Sequence, residues 1–164
     1  MRVGALEDAT KKGSVAEIKA DVPDLNSGEL SLASLMVIRE VEEKADSDPA
    51  HPFAAYLLGT SRLVPFPGST FAKTDSLSFF YQYYDAKVGD TTGKASVVAS
   101  LQILKGDKPV ARAADAPFEV PVGGTIVGPV PLASYEPGSY VVKLKVTDNL
   151  AKKDVTREVA FEVK

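Results

Sequence analysis

The chain has 164 residues, 45% of them hydrophobic and 25% charged, and a formal net charge of −3. This is the composition of one folded domain, or of one domain with part of another, and its scattered Lys and Arg residues form no basic surface for nucleic acid or anionic membrane. The absence of cysteine excludes disulfides, thiolate metal sites and a cysteine nucleophile, and no stretch reaches the ~20 apolar residues of a membrane-spanning helix.

Met1-Arg2-Val3-Gly4 opens the chain without the apolar core of a signal peptide, so any export signal of a parent protein is expected upstream. Residues 1–23 read as strand, polar turn and strand. Asp8-Ala9-Thr10-Lys11-Lys12 and the segment Ala16 to Val22 echo the C-terminal Asp148 to Lys153 and Arg157 to Val163, with Ile18 matching Val159 and Val22 matching Val163. A lone hairpin cannot bury enough apolar surface to be stable. Residues 1–23 are therefore expected to be the terminal hairpin of a preceding sandwich copy, available for pairing at a sheet edge. Residues 24–29, just after Pro23, read as a linker, and 30–164 as the domain.

Leu30 to Lys44 admits two readings. As a helix, Leu32, Leu35, Met36 and Arg39 share a stripe; as a strand, Leu35 and Val37 alternate with Met36 and Ile38. Weak capping signals and strand-like neighbours favour the strand. Pro49, Pro52, Pro65 and Pro67 discourage helix between them, and Arg62 to Phe66 reads as a strand. Ser76 to Tyr84 is aromatic-rich, with Leu77, Phe79, Tyr81 and Tyr83 on one side and Phe80 and Tyr84 on the other. Ala95, Val97, Ala99, Leu101 and Ile103 alternate in the same way, and Lys105-Gly106-Asp107-Lys108 turns the chain into Val110 and Ala111. Tyr140, Val142, Leu144 and Val146 line one face opposite Lys143 and Lys145. Val155, Val159, Phe161 and Val163 follow, with Arg157 interrupting the apolar side where it can still reach water.

A Pro137-Gly138 turn leading into Tyr140 predicts a tyrosine corner, in which the hydroxyl bonds back to upstream backbone. Together these elements predict an all-β fold: an immunoglobulin-like antiparallel β-sandwich of about seven or eight strands, preceded by a β-hairpin from an earlier repeat.

Little here points to chemistry. His51 is the only histidine, which leaves no His cluster for zinc, and its Asp48-Pro49-Ala50-His51-Pro52 setting is that of a solvated loop. Gly59-Thr60-Ser61 and Pro67-Gly68-Ser69 do not match a nucleophile elbow. Asp46-Ser47-Asp48 alternates oxygen ligands as calcium sites do, but lacks the Gly and Glu of an EF-hand. Asp85, Asp90 and Asp107 are candidates to gather at one end of the sandwich. No catalytic, cofactor-binding or metal-binding residue is expected, and no cofactor. The most suggestive feature is the aromatic strand. If Phe80 and Tyr84 are exposed beside Gln82, they are candidate ligand contacts for a sugar or a partner protein. The alternative is that a segment such as Ala54 to Thr60, or the N-terminal hairpin, covers them.

The phrases VPDLNSGELSLASLMV, LVPFPGSTFAKTDSLSFFYQYYD, ILKGDKPVARA and PLASYEPGSYVVKLKVTDNLAKKDVTREVAFEV, in that order, resemble the C-terminal β-sandwich region of bacterial exported proteins with a GWxTD-motif domain. Similar tails occur in proteins related to von Willebrand factor A. The GWxTD motif itself is absent, and the chain has no Trp. The resemblance implies an extracytoplasmic setting in tandem with other sandwiches, and no reaction. The expectation is a non-enzymatic structural or interaction module: a spacer or docking domain contacting neighbouring domains of its parent or another protein, without nucleic acid or membrane insertion. The alternative is a carbohydrate-binding module using residues 79–84.

Overall fold

The computed structural model describes residues 28–164 and, upstream of them, the strands β1 (Arg2–Leu6) and β2 (Gly13–Glu17). These two pair antiparallel as a sheet of their own, with Leu6 opposite Gly13. The turn at Asp8 to Lys12, the positions Ile18 and Val22, and the linker up to Ser27 lie outside the described residues.

Twelve strands follow: β3 (Ser31–Leu32), β4 (Met36–Glu43), β5 (Leu57–Leu58), β6 (Ser61–Pro65), β7 (Thr70–Phe71), β8 (Ser76–Tyr84), β9 (Val97–Lys105), β10 (Lys108–Arg112), β11 (Ala116–Phe118), β12 (Gly123–Pro131), β13 (Gly138–Asp148) and β14 (Lys153–Val163). Eight of them have five or more residues, and β3, β5, β7 and β11 are short pieces between these. A single 3₁₀ turn, Ala54–Tyr56, is the one helical element among the described residues.

Two six-stranded sheets close on each other. Sheet I runs β10-β9-β13-β14-β7, with β11 also on β9; sheet II runs β12-β8-β4-β6-β5, with β3 also on β8. All pairs are antiparallel except β7 on β14, which is parallel. The molecule is an all-β sandwich.

Strand-period alternation builds the interior. Leu77, Phe79, Tyr81 and Tyr83 of β8 are buried, facing Val97, Ala99, Leu101 and Ile103 of β9 and Tyr140, Val142, Leu144 and Val146 of β13. Burying each of the larger of these side chains contributes roughly 1.5–3 kcal/mol, so these three strands supply much of the core. Leu30 to Lys44 is extended, as its surroundings predict, but not as one piece. It breaks between Leu32 and Met36, and the pairing of β4 with β6 slips between Ile38 and Glu40, placing Arg39 in a bulge. Gly106, at φ +61, makes the turn from β9 into β10. Arg157 is exposed, as its place on the apolar side of β14 requires.

The predicted corner is present. The Tyr140 hydroxyl donates to the carbonyl of Glu136 at 2.7 Å, while its ring stacks on Phe161 and meets Tyr135 edge-on.

Candidate functional site

The two sheets differ most on the faces turned away from the core. On the outside of sheet I, charges pair across strands. Lys143 sits opposite Glu158 in register and bridges it at 3.0 Å. Lys145 reaches Asp154 at 2.8 Å, and Asp154 also accepts the Thr147 hydroxyl. At the edge, Asp115 takes Arg112 and the Ser100 hydroxyl. These partners hold the carboxyls of Asp154 and Asp115 below the usual carboxylate range, chiefly through the hydrogen bonds from Lys145 and Arg112.

The outside of sheet II carries an apolar row. Because register partners share a face, Ile126 of β12, Phe80 of β8 and Met36 of β4 stand in one row. A groove of about 360 Å³ opens beside this row, lined among others by Met36, Leu63, Phe80 and Gln82, with Tyr56 and Leu58 as its roof. The roof is itself open to water, Tyr56 being 38% and Leu58 45% exposed. The expected alternative to open exposure, cover by the segment Ala54 to Thr60, is thus partly realised, and Phe80 is half-buried. Tyr84 does not line the groove. It pairs with Ser31 at the end of β8, so the two aromatic candidates are not brought together.

What positions the roof is a string of local turns. Asp48 Oδ1 accepts the N–H of Ala50, His51 Nδ1 accepts the N–H of Phe53, and the rings of His51, Phe53 and Tyr56 follow one another. The start of the segment is clasped by Arg62, a buried guanidinium on β6 that donates to Glu42 and to both the carbonyl and the carboxylate of Asp46. The hydrogen bond from Arg62 holds the Asp46 carboxyl low, helped by the N–H of Asp48. The calcium-like spacing of Asp46-Ser47-Asp48 is therefore engaged in an ion pair and a turn. His51 is half-buried and engaged in the same turns.

The three scattered aspartates do not share one end. Asp85 and Asp90 lie near the β13–β14 turn, where Lys87 donates to Asp148 and Val88 bridges Ala95, whereas Asp107 sits in the turn at the far end of β9. The antiparallel path of β9 along β13, with Val97 opposite Asp148 and Leu104 opposite Val141, separates them.

Near Asp148 a second cavity of about 600 Å³ is lined by Gly28, Leu30, Asp85, Pro121 and Lys153 among others. Asp148 is fully buried, and its carboxylate accepts the N–H groups of Lys87, Leu150 and Ala151. The sequence places Asp148 at the head of a polar turn, but it also continues the inward parity of Tyr140 to Val146 and ends it with a charge. Such a residue must find partners inside. Met36, Tyr56 and Leu58 carried no comparable signal.

No family model matches the chain, and no curated protein matches it. Among solved structures, a β-glucosidase from Erythrobacter marinus is similar over 83% of this chain at 12% identity, with a TM-score of 0.38. The chain spans 15% of that protein's length, and so loose a likeness carries no argument about activity. No helix of the described residues is long and apolar enough to cross a membrane.

Proposed function

We propose that the chain is a non-catalytic docking or spacer module of a larger, extracytoplasmic bacterial protein, with an immunoglobulin-like sandwich as its frame. The observation that carries this reading is the apolar row on the outer face of sheet II. A face that meets only water is expected to look like the outside of sheet I, where charges pair across strands. A partly roofed row of Ile126, Phe80 and Met36 suits contact with an apolar surface of a neighbouring domain or protein. The strand arrangement supports the immunoglobulin-like frame: β8 and β12 pair in one sheet, β9, β13 and β14 in the other, with a tyrosine corner at the start of β13.

The test places a photo-crosslinking residue at Leu58, and in a second variant at Lys145, in cells that make the protein. Adducts to a defined domain or protein from position 58 and none from 145 are expected. Equal labelling at the two positions, or none at either, overturns the reading. The carbohydrate reading rests on Phe80 and Gln82 in the groove. It predicts retention on a glycan array that Phe80→Ala abolishes, whereas the docking reading predicts none.

A further inference from the structure

Sheet edges are sites of pairing unless a protein guards them with charge, proline or shortness. Edge strands β5 and β7 have two residues each, and edge strand β10 carries Lys108, Pro109 and Arg112. β11, also on β9, has three residues with Pro117 at its centre, and β12, the edge of sheet II opposite β5, is guarded differently. No charged residue lies between Glu119 and Glu136. Pro121 precedes it and Pro129 and Pro131 lie in its last third, but Gly123 to Val127 contains no proline, and Ile126 is 38% exposed.

The backbone of this window has a definite orientation. Gln82 of β8 turns its carbonyl toward β3, where it accepts the N–H of Ala33 at 2.9 Å. In an antiparallel ladder a residue's N–H and C=O point to the same side, so Gln82 does not bond to its register partner Gly124. By alternation Gly123, Thr125 and Val127 bond to β8, while Gly124 and Ile126 direct both backbone groups away from the sheet. Among the described residues, these groups meet only a long contact of 3.4 Å from the Thr125 hydroxyl to the Ile126 carbonyl.

We infer that β12 pairs antiparallel with β12 of a second copy of this chain, about a two-fold axis through Thr125. In that register Gly124 lies opposite the second copy's Ile126 and Ile126 opposite its Gly124. Each of these two pairs exchanges both bonds of a narrow antiparallel pair. The arrangement is self-complementary in three ways. The outward groups fall at positions symmetric about Thr125, no like charges meet, and glycine leaves room for the isoleucine across from it. Gly124 is small for an independent reason as well, since a Cβ there would fall 2.2 Å from the carbonyl oxygen of Tyr81. In this register the Met36-Phe80-Ile126 row of each copy continues into the Gly124-Gln82 row of the other, with the two Ile126 side chains on one face and diagonal to each other across the seam. The inference rests on backbone direction and charge, so it stands whether or not the groove binds a partner.

Sedimentation of the full chain over a wide concentration range tests it. A concentration-dependent dimer is expected. Ile126→Pro removes an outward N–H without touching the bonds to β8 and should weaken the dimer by roughly tenfold or more, whereas Ile126→Val should leave it within about threefold. Should the proline variant melt early, amide exchange in the unaltered protein decides instead: Gly124 and Ile126 should slow as concentration rises. A monomer at every concentration, a dimer indifferent to Ile126→Pro in a folded variant, or exchange at these amides independent of concentration overturns the inference.

Discussion

The inner faces of the two sheets are built alike and their outer faces are not. Inside, β8 of sheet II and β9 and β13 of sheet I each present apolar side chains at every second position. Outside, sheet I carries cross-strand ion pairs and sheet II a roofed apolar row. Folding demands the first likeness, because both layers must shed water to meet. It makes no such demand on the outer faces, so the closing of the sandwich does not account for their difference.

The comparison presupposes one shared interior, and the heaviest blow to it is Leu144→Ala. This removes a fully buried side chain from the middle of sheet I and should cost about 2–5 kcal/mol, read as a lower midpoint in denaturant. A loss below about 1 kcal/mol would mean that the sheets do not close as described.

Alkali sharpens the contrast between the inner faces. The hydroxyls of Tyr81 and Tyr83 are pushed from 10 up to about 12, in both cases first by burial, then by Tyr83 for the former and by Asp148 for the latter. The unfolded chain ionises first, so stability should be fully present below pH 10 and fall as the pH rises from 10 toward 12. Replacing Tyr81 with Phe should flatten that fall in a series of melts.

On the outer faces the effects should be smaller and unequal. Phe80→Ala is expected to cost about 1–2 kcal/mol, less than the 3–5 kcal/mol of a wholly buried Phe, because the ring is only half-buried where it lines the groove. Lys145→Ala should leave the melting temperature unchanged within error, exposed pairs of this kind contributing little. If the lysine variant proved the more damaging of the two, the assignment of roles to the faces would be reversed.

The sequence made the inner faces legible because they obey a period that local residues set. Ser76 to Tyr84 and the alternation of Tyr140 to Val146 needed no knowledge of their neighbours, and Pro137-Gly138-Ser139-Tyr140 announced the corner through turn chemistry. The outer face was not legible in the same way. Whether Phe80 meets water depends on a roof some twenty residues upstream (Tyr56 and Leu58), whose position is fixed by Arg62 and a run of short turns rather than by any period. The break before Met36 and the slip at Arg39 escaped for a related reason: they answer to the register with β6 and β8, which a single strand does not contain.

The order in which the two sheets are completed as the chain leaves the ribosome follows from their topology. Every strand of sheet II is synthesised by Pro131, but sheet I lacks its two central strands until the hairpin from Gly138 onward is made. Until then the Leu77, Phe79, Tyr81 and Tyr83 row has no β13 or β14 to lie beneath. A nascent chain halted before Gly138 thus carries a finished layer with a wet, aromatic underside, and that is the form in which a chaperone would meet it.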